Sequence, residues 1–361
     1  MRILHLHTSM SGGGIESIIC GLVNELSTNN DVTLATIFKP KKSDIFEKKV
    51  DPAVKRISLG KVKPGFSLSE IFCIFRLINR GGYDIVHIHG FFYYYVLSVL
   101  LMHRKVKFFY TIHSDAIMEN SPWDRRILWL KKRCFKKRYI HPITISPASK
   151  ESFAKLYKTN STLICNGIPR PIITTTENPL TQYKITPSTK IFVHAGRINV
   201  AKNQLVLCKS FSRLIKNGYD AVLLIAGGNY DYTIMQQIQP YFCDRIVYLG
   251  ERGDIPTLFS RADAMCLPSI WEGLPVTLLE SLSVGCIPIC SPVGGIVNVI
   301  SHGYNGLLSK DSSEDQYYKV LEEYMEMSAE KQNVIRNNCV ESFKPYDIKQ
   351  TAQQYELAYR G

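Results

Sequence analysis

Two glutamates in one short apolar segment are the residues of this chain with the clearest chemical potential. The segment SIWEGLPVTLLESL covers residues 269–282 and contains Glu272 and Glu280. Pro275 favours a helix start, because its missing N–H falls among donors that are unpaired there anyway. The leucines that follow have helical spacing, and eight helical residues span about 12 Å. We therefore expect the two acids to bracket a ligand of about that length.

A ligand with hydroxyls at both ends and phosphate in the middle suits this arrangement. Carboxylate oxygens accept hydrogen bonds from vicinal hydroxyls, and a helix N-terminus offers unpaired N–H groups and a positive dipole end to phosphate. The segment is thus compatible with a sugar, a diphosphate and a ribose bound in a row. Alternatively, Glu272 is an exposed loop acid and Glu280 a surface residue. The segment alone leaves both interpretations open.

A glycine-rich stretch, SGGGIES at residues 11–17, follows the first predicted strand. It does not complete the dinucleotide-binding fingerprint, because Ser17 occupies the position of the third glycine and Asp31 lies at the beginning of the second strand and not at its end. The chain also contains no G-x-x-x-x-G-K-[ST] loop, no G-x-S-x-G elbow and no H-E-x-x-H motif. The stretch predicts either a close backbone approach to an anion at a helix N-terminus or a simple helix-entry turn.

Both halves of the chain alternate short β-rich runs with amphipathic stretches, which indicates βαβ units and parallel sheets. The predicted strands of the first half are 2–8, 31–38, 83–90, 107–113 and 139–146, and those of the second half are 190–196, 221–228, 245–250, 262–268 and 286–291. Between the halves, residues 168–190 contain four prolines and no periodicity, which favours a linker or hinge. The prediction is an α/β fold of two doubly wound, Rossmann-like domains facing across a cleft, with ligands at the carboxyl ends of the strands.

Composition restricts the class of protein. The 361 residues carry a net charge of +13. Residues 1–180 hold 27 basic and 13 acidic side chains, whereas residues 181–361 hold 17 and 18, so the excess lies in the first half. An excess of positive charge in one half of the chain suits binding to nucleic acid, to an anionic membrane surface or to a phosphorylated ligand.

Cysteine and apolar patterns favour a cytoplasmic protein. Ten cysteines without CxxC pairs indicate reduced thiols, and no signal peptide is visible. The apolar run at 85–102 begins with two histidines and a glycine, which favours a strand followed by a buried helix over a membrane span.

Several motifs in the second half resemble one known family. EGLPVTLLE is similar to the E-x7-E motif of the retaining, family 4 nucleotide-sugar glycosyltransferases, which have the GT-B architecture of two Rossmann-like domains. GRINVAKNQ at 196–204 resembles the G-R-x4-K loop of that family, and residues 245–269 and 285–308 resemble its later segments in the same order. SGGGIE, DIVHIHG, TIHSD and CNGI match weaker landmarks. One departure is Val297-Asn298, where the family usually has Pro and Glu.

The resemblance implies a donor site in the second domain. Glu280 would bind the ribose hydroxyls of the donor, and Glu272 the hydroxyls of its sugar. The backbone N–H groups of Gly273 and Leu274 would line the sugar and the diphosphate.

The resemblance also implies catalytic groups around the diphosphate. Arg197 and Lys202 would bind it and stabilise the charge of the leaving group, a role that fixed cations and a helix N-terminus suit physically. Gly13 and Gly14 would approach the same diphosphate, and His113 would lie near the reacting sugar. No D-x-D pair occurs, so we expect neither metal nor cofactor. In the other interpretation, the two cations are surface charges and His113 is structural, as we expect His87 and His89 to be.

The segment DRRILWLKKRCFKKRYI at 124–140 has eight basic residues and one acid. Ile127, Leu130 and Cys134 form a stripe that we expect to pack on the sheet and leave the cations outward. This pattern is compatible with peripheral binding to an anionic membrane, and then with a lipid-linked saccharide acceptor. A solvated helix face is the other interpretation.

Together these features predict a retaining, metal-independent glycosyltransferase that transfers a hexose-type sugar from a nucleoside-diphosphate sugar, with UDP favoured. We expect a saccharide or polyprenyl-linked acceptor in cell-surface polysaccharide synthesis, and a cytoplasmic location, peripheral on the inner face of the plasma membrane. The predicted domains are 1–170 on the acceptor side, a linker at 171–189 and a donor domain at 190–344, with a helix at about 345–361 returning to the first.

Two alternatives remain open at this point. One is a GT-B-like sugar-nucleotide epimerase, which would consume nucleotide sugar without an acceptor. The other is a non-catalytic protein that binds nucleic acid through its basic half. Against the second, the half that carries the motifs is neutral, and no RNP-like, KH or helix-turn-helix signature is present. We therefore predict no nucleic-acid partner.

Overall fold

The computed structural model describes residues 1–11, 13–41, 44–63, 65, 68–90, 106–120, 127–173 and 177–361. The chain divides into two compact units. Unit 1 comprises Met1–Pro169 together with Tyr346–Gly361, and unit 2 comprises Arg170–Pro345. The part of the apolar run after residue 90, and residues 124–126 of the basic segment, lie outside the described residues.

Unit 1 is built on a seven-stranded parallel sheet. Its strands are β1 Arg2–His7, β2 Asp31–Phe38, β3 Lys55–Lys61, β4 Ile85–His89, β5 Lys107–Ile112, β6 His141–Thr144 and β7 Thr162–Leu163. They lie in the order β3-β2-β1-β4-β5-β6-β7. The order reverses between β1 and β4, and sheets of this kind bind ligands at such a switch point.

Unit 2 repeats the plan with a six-stranded parallel sheet. Its strands are β8 Lys190–Ala195, β9 Ala221–Ala226, β10 Ile246–Gly250, β11 Ala264–Leu267, β12 Ile287–Cys290 and β13 Leu307–Leu308. Their order, β10-β9-β8-β11-β12-β13, is that of a Rossmann fold, with the switch point between β8 and β11. The predicted pair of doubly wound α/β domains is confirmed.

Helices connect these strands. In the part of the chain that the structure describes, the helices are α1 Gly14–Leu26, α2 Leu68–Gly81, α3 Leu128–Lys136, α4 Pro147–Tyr157, α5 Gln204–Lys216, α6 Tyr232–Ile238, α7 Ile255–Arg261, α8 Val276–Ser283, α9 Glu314–Glu326, α10 Ala329–Phe343 and α11 Ile348–Arg360. Short 3-10 turns occupy Phe46–Lys49, Thr181–Tyr183, Val200–Lys202, Gln239–Tyr241, Gly294–Asn298 and Lys344–Tyr346. Among the described residues, no helix is both long and apolar enough to cross a bilayer.

The two faces of the unit 1 sheet differ in chemistry. One face carries a mainly hydrophobic cluster that includes Leu4, Leu6 and Val86. The other face packs on α1 and α11, and Tyr355 and Tyr359 of α11 are fully buried there. Because α11 follows unit 2 in the chain, unit 1 is assembled from two separate parts of the sequence.

Every predicted strand is found, and three further strands were missed: β3, β7 and β13. All three lie at the edge of a sheet. Edge strands are half-exposed and often short or polar, so their sequences lack the buried apolar run that signals an inner strand. In β3, for example, the exposed side chains include Lys55 and Arg56.

One expectation about the basic segment is wrong. Lys131 of α3 does not face outward: it is buried, and its Nζ donates to Asn120 Oδ1 at 2.9 Å. A lysine stem packs well in a core when its ammonium finds acceptors. Cys134 and Phe135 are buried beside it, whereas Trp129 is exposed. Arg133, Lys136, Lys137 and Arg138 are exposed.

Candidate functional site

The loop after β8 brings the predicted cations to the carboxyl end of the unit 2 sheet. Asn199 accepts a hydrogen bond from the backbone N–H of Lys202 at 3.1 Å and thereby caps the 3-10 turn. Asn203 follows with a left-handed backbone, φ 56°. Its side chain donates to the carbonyl of Pro268 at 3.1 Å. The turn is thus tied to the end of β11, next to the loop that carries Glu272.

Lys202 and Glu272, seventy residues apart in sequence, form an ion pair. Lys202 Nζ lies 2.5 Å from Glu272 Oε1, and Ser269 Oγ donates to the same oxygen at 2.7 Å. The Lys202 and Glu272 side chains are only 18% and 11% exposed, and Ser269 is fully buried. The pair is therefore less screened than a surface salt bridge. Sequence reasoning placed both charges in one site but missed Ser269.

A double glycine supports the backbone beneath Glu272. Gly295 donates its N–H to the carbonyl of Gly273 at 2.6 Å. A Cβ on Gly294 would lie 1.8 Å from the carbonyl oxygen of Glu272, and a Cβ on Gly295 would lie 2.2 Å from that of Gly273. Gly294 also has φ +55°, which favours glycine. Only glycines therefore allow this close approach, which the G-G pair in the sequence could have signalled.

Helix α8 begins directly after this loop. Pro275 is its N-cap residue, as expected, and Leu274 is buried. The buried Oγ1 of Thr277, in the first turn, has no hydrogen-bond partner among the described residues. Glu280 lies one turn further along and is half-buried. The first turn thus presents N–H groups and the positive end of the helix dipole beside Glu272.

Arg197 lies at the mouth of the same loop. It is exposed, and its guanidinium carbon lies 5.0 Å from the ring centroid of Tyr230. Its carbonyl accepts a hydrogen bond from Gln204 at 2.9 Å. The buried His194 bridges β8 and β11 by donating Nδ1–H to the carbonyl of Cys266 at 2.9 Å. Burial lowers the pKa of His194 to about 4, so this ring is neutral near pH 7.

In unit 1, the glycine stretch forms the entry to α1. Gly13 is the N-cap in extended conformation, and Gly14 is the first helical residue. Gly12 lies outside the described residues. Glu16 in the first turn accepts a hydrogen bond from Ser11 Oγ at 3.3 Å and lies 3.7 Å from His7 Nε2. A helix-entry turn is therefore present, and the diphosphate roles of Gly13 and Gly14 stay predictions.

A row of histidines lines the face of the unit 1 sheet that packs on α11. Strand alternation brings His5, His87, His89 and His113 together. His89 Nε2 lies 3.0 Å from His5 Nδ1, and His89 Nδ1 lies 3.0 Å from His113 Nε2. His87 instead contacts the hydroxyl of Tyr359 at 2.5 Å. Sequence reasoning identified His87, His89 and His113 but did not connect them, and it missed His5.

All four of these rings are neutral near pH 7. Burial lowers the pKa of His5 to about 3 and that of His113 to about 3. Burial, reinforced by the neighbouring histidines, also holds the pKa values of His87 and His89 well below 6.5. The row is thus a network of neutral donors and acceptors.

The geometry of the row fits hydrogen bonding better than a metal site. Nitrogens of His5, His87 and His89 lie within 4.8 Å of one another. The rings of His87 and His89 stack, however, with centroids 4.3 Å apart and planes 14° apart. Lone pairs in near-parallel planes do not converge on one ion, and each ring already bonds to a neighbour.

A second titratable group holds the backbone of His113. Glu119 accepts the backbone N–H of His113 through Oε2 at 3.1 Å and the hydroxyl of Tyr110 through Oε1 at 2.8 Å. Burial raises the pKa of Glu119 to about 7, against the nearby charge of Lys131. No motif marks this acid, and sequence reasoning missed it.

Two family models match the chain. The model described as "Glycosyl transferases group 1" matches residues 177–340, and the model described as "Glycosyltransferase Family 4" matches residues 12–170. A curated relative from Escherichia coli, UDP-Gal:alpha-D-GlcNAc-diphosphoundecaprenol alpha-1,3-galactosyltransferase, is 23% identical over 309 residues. The alignment covers 75% of this chain and 73% of that protein.

Solved structures share the fold over the whole chain. Sucrose-phosphate synthase from Thermosynechococcus elongatus superposes with a TM-score of 0.82 at 18% identity, covering 100% of this chain and 98% of that one. Anabaena Alr3699/HepE in complex with UDP and glucose gives a TM-score of 0.81 at 17% identity, with 100% of both chains covered. At these identities the likeness concerns the fold.

Proposed function

The chain belongs to the family 4 glycosyltransferases with the GT-B fold, and we propose that it transfers a hexose-type sugar, with retention, from a nucleoside-diphosphate sugar to a saccharide or lipid-linked saccharide. The observation that carries this proposal is the cluster of Lys202, Glu272 and Ser269 beside the N-terminus of α8. At the switch point of unit 2, this cluster places a cation that can bind phosphate next to a carboxylate that can accept hydrogen bonds from sugar hydroxyls.

In this proposal, the ion pair holds Lys202 and Glu272 in place before the donor binds. A partly buried carboxylate without a partner is costly, and here Lys202 and Ser269 satisfy it. When the donor binds, Lys202 exchanges Glu272 for the diphosphate, and Glu272 accepts hydrogen bonds from the sugar hydroxyls. Arg197 and the backbone N–H groups of Gly273 and Leu274 complete the diphosphate site, and Glu280 binds the ribose.

In the proposed reaction, the bond between the anomeric carbon and the diphosphate oxygen breaks while the acceptor hydroxyl attacks from the same face. The electron pair of the broken bond stays on the diphosphate, and the hydroxyl proton passes to the departing phosphate oxygen. Lys202, Arg197 and the α8 N-terminus stabilise the negative charge that develops. The proposal requires neither metal nor cofactor, because these groups supply the positive potential.

The donor base and the acceptor are further parts of the proposal. The Escherichia coli relative is named for UDP-Gal and for a diphosphoundecaprenol-linked saccharide, which supports a UDP-sugar and a lipid-linked acceptor. The exposed cations of α3, together with the exposed Trp129, suit the surface of an anionic membrane. We place this contact on the cytoplasmic side. Gly13, Gly14 and His113 contribute to the reaction from unit 1.

A thermal-shift panel of UDP, GDP, ADP and CMP tests the donor site. A ligand well above its Kd raises the melting temperature by mass action. We expect one diphosphate, UDP first, to stabilise wild type and the control Glu330→Ala, an exposed acid of unit 2, but not Glu280→Ala. If no diphosphate stabilises wild type, the donor site is refuted.

Product analysis then tests the reaction. Purified protein is incubated with the stabilising nucleotide's sugar and a diphospholipid-linked saccharide, and NMR coupling constants report the anomeric configuration. We expect a new glycosidic bond with the configuration of the donor. Inversion contradicts the mechanism, and an epimerised nucleotide sugar formed without acceptor supports the epimerase instead.

A further inference from the structure

Three histidines of unit 1 form one continuous chain of hydrogen bonds. His5 Nδ1 lies 3.0 Å from His89 Nε2, and His89 Nδ1 lies 3.0 Å from His113 Nε2. At one end, the fully buried His5 Nε2 has no partner among the described residues. At the other end, the Nδ1 atom of His113 is also buried and also has none in that part of the chain, but His113 follows β5 at the carboxyl end of the sheet, and the residue as a whole is half-buried.

The number of protons on the three rings means that all hydrogen bonds of this histidine chain run in the same direction. A neutral imidazole has one N–H donor and one lone-pair acceptor, and burial keeps these rings neutral near pH 7. His89 is bonded through both nitrogens, so it donates through one and accepts through the other. The tautomer of any one ring therefore fixes the tautomers of the other two.

The two ends decide which direction is favoured. One direction leaves an N–H on the buried Nε2 of His5, and the other leaves an N–H on Nδ1 of His113. A buried N–H without an acceptor is rarer and costlier than an unused lone pair. Both end nitrogens are buried, so either direction leaves one buried N–H without an acceptor among the described residues. Parallel sheets of this kind bind ligands at the carboxyl ends of their strands, and of the two end rings only His113 lies there, so the unpaired donor belongs at His113, where such a ligand can accept it.

We propose that His5 donates from Nδ1 to His89, that His89 donates from Nδ1 to His113, and that His113 thereby presents an N–H at Nδ1 to an oxygen of the substrate. His113 is then a fixed hydrogen-bond donor and not a general base, since its lone pair is occupied by His89. His89 and His5 are positioning residues that act through it. The substrate contact rests on the proposed glycosyl transfer, whereas the three tautomers do not.

Two other histidines supply internal references. His7 Nδ1 lies 2.9 Å from the carbonyl of His89, and His194 Nδ1 lies 2.9 Å from the carbonyl of Cys266. Because a carbonyl only accepts, both rings carry a proton on Nδ1. Their signals calibrate the spectrum in unit 1 and unit 2, respectively.

The first experiment is a long-range 1H–15N correlation spectrum of the full chain with labelled histidine, at pH 7 and without ligand. Each signal is assigned through its loss in a single His→Asn variant. We expect neutral, Nδ1–H tautomers for His5, His89 and His113, like the reference His194. An Nε2–H tautomer or an imidazolium at any of the three overturns the proposal, whether or not the protein proves to transfer sugar.

The second experiment compares His89→Leu with His89→Asn. The asparagine amide places an N–H donor near the position of Nδ1, whereas leucine has none. We expect His113 to become a mixture of tautomers in the leucine variant and kcat/KM to fall about tenfold, the equivalent of one hydrogen bond. The asparagine variant should keep the Nδ1–H signal and stay within about threefold of wild type.

The outcomes of the two experiments are separable. A His89→Leu variant with an unchanged His113 signal and unchanged kcat/KM overturns the proposal. If that variant does not fold, the wild-type spectrum alone decides. If the expected tautomers are found but no nucleotide sugar is bound or turned over, the proposed function fails and the hydrogen-bond chain stands.

Discussion

Each unit ties the first strand of its sheet to the neighbouring fourth strand through a histidine. In unit 1, His7 of β1 donates to the carbonyl of His89 in β4 at 2.9 Å. In unit 2, His194 of β8 donates to the carbonyl of Cys266 in β11 at the same distance. The two switch points thus use one device, yet what surrounds it differs. Unit 1 extends it with neutral rings, and unit 2 with the ion pair of Lys202 and Glu272.

The difference indicates two kinds of work. An ion pair at the rim of a sheet can exchange a partner for a charged ligand, and its energy depends on salt. A chain of neutral rings responds to geometry and hydrogen bonding, and hardly to salt. We therefore infer that unit 2 binds the charged part of the ligand and that unit 1 orients a hydrogen-bond donor. Four substitutions test this contrast, from the largest expected effect to the smallest.

The largest effect is expected for Lys202→Ala. The variant loses a cation at the leaving diphosphate and leaves Glu272 half-buried without its charged partner, so kcat/KM should fall about 10²–10³-fold. Lys310→Ala, at an exposed lysine of the same unit, is the control and should be unchanged. Steady-state kinetics with the nucleotide sugar provide the measurement. If kcat/KM of Lys202→Ala stays within threefold of the wild-type value, the proposed charge-binding role of unit 2 is contradicted.

Gly294→Ala should have the next largest effect. Its Cβ would lie 1.8 Å from the carbonyl of Glu272, so the loop must move, at a cost of about 4 kcal/mol in unfolding free energy and about a hundredfold in kcat/KM. Gly303→Ala separates clash from backbone strain, because Gly303 also has positive φ but no atom within 4 Å of the added Cβ. It should cost about 1 kcal/mol. Urea denaturation measures both unfolding free energies. Equal losses of unfolding free energy in the two variants would contradict a steric clash at Gly294.

Glu119 should give unit 1 a pH response. Its folded pKa is raised to about 7 by burial, so its contribution to stability is present below the unfolded pKa near 4.5 and is lost as pH rises through 7. Between pH 5 and 8, wild type should lose about 2–3 kcal/mol of unfolding free energy that Glu119→Gln does not lose. Glu151→Gln, at an exposed acid of α4, should keep the wild-type slope. Denaturation at several pH values decides, and parallel slopes for wild type and Glu119→Gln refute the assignment.

The smallest effect is expected at Tyr230. Its ring lies under the guanidinium of Arg197, and an exposed cation–π contact is worth about 0.5–1 kcal/mol. Tyr230→Leu should therefore weaken binding of the nucleoside diphosphate about two- to fivefold. Tyr232→Leu, at a tyrosine that is 79% exposed, is the matched control. Calorimetric titration of the nucleoside diphosphate into both variants measures the two affinities. Equal affinities would show that Tyr230 does not contribute to the diphosphate site.

The sequence predicted the charged side of this contrast better than the neutral side. Lys202 and Glu272 stand in motifs that the family resemblance assigns to one site, although their pairing with each other was missed because both were assigned to a ligand. His87 and His89 alternate along one predicted strand, which places them on one face, whereas His5 was not singled out. The 3.0 Å links between the rings depend on strand order and register, which no local pattern contains.

Other misses have similar causes. Glu119 lies in a loop without periodicity, and only the tertiary structure brings it to the backbone of His113. Lys131 was assigned to a solvated face because charge runs usually are, and its burial depends on Asn120 as an acceptor. The edge strands β3, β7 and β13 lack buried runs. Sequence patterns therefore revealed what is periodic or motif-like, whereas long-range polar pairing had to come from the structure.

The position of α11 in the chain has a consequence for biosynthesis. Tyr355 and Tyr359, which cover the histidine face of unit 1, are made only after the whole of unit 2. At about 5–20 residues per second, the wait is on the order of ten seconds or more. During that time the polar rings of β1 and β4 lack their final cover, so a nascent chain arrested inside unit 2 exposes an unfinished face to chaperones and proteases. We therefore expect the emergence of α11 from the ribosome, rather than the completion of the first sheet, to complete the native core of unit 1.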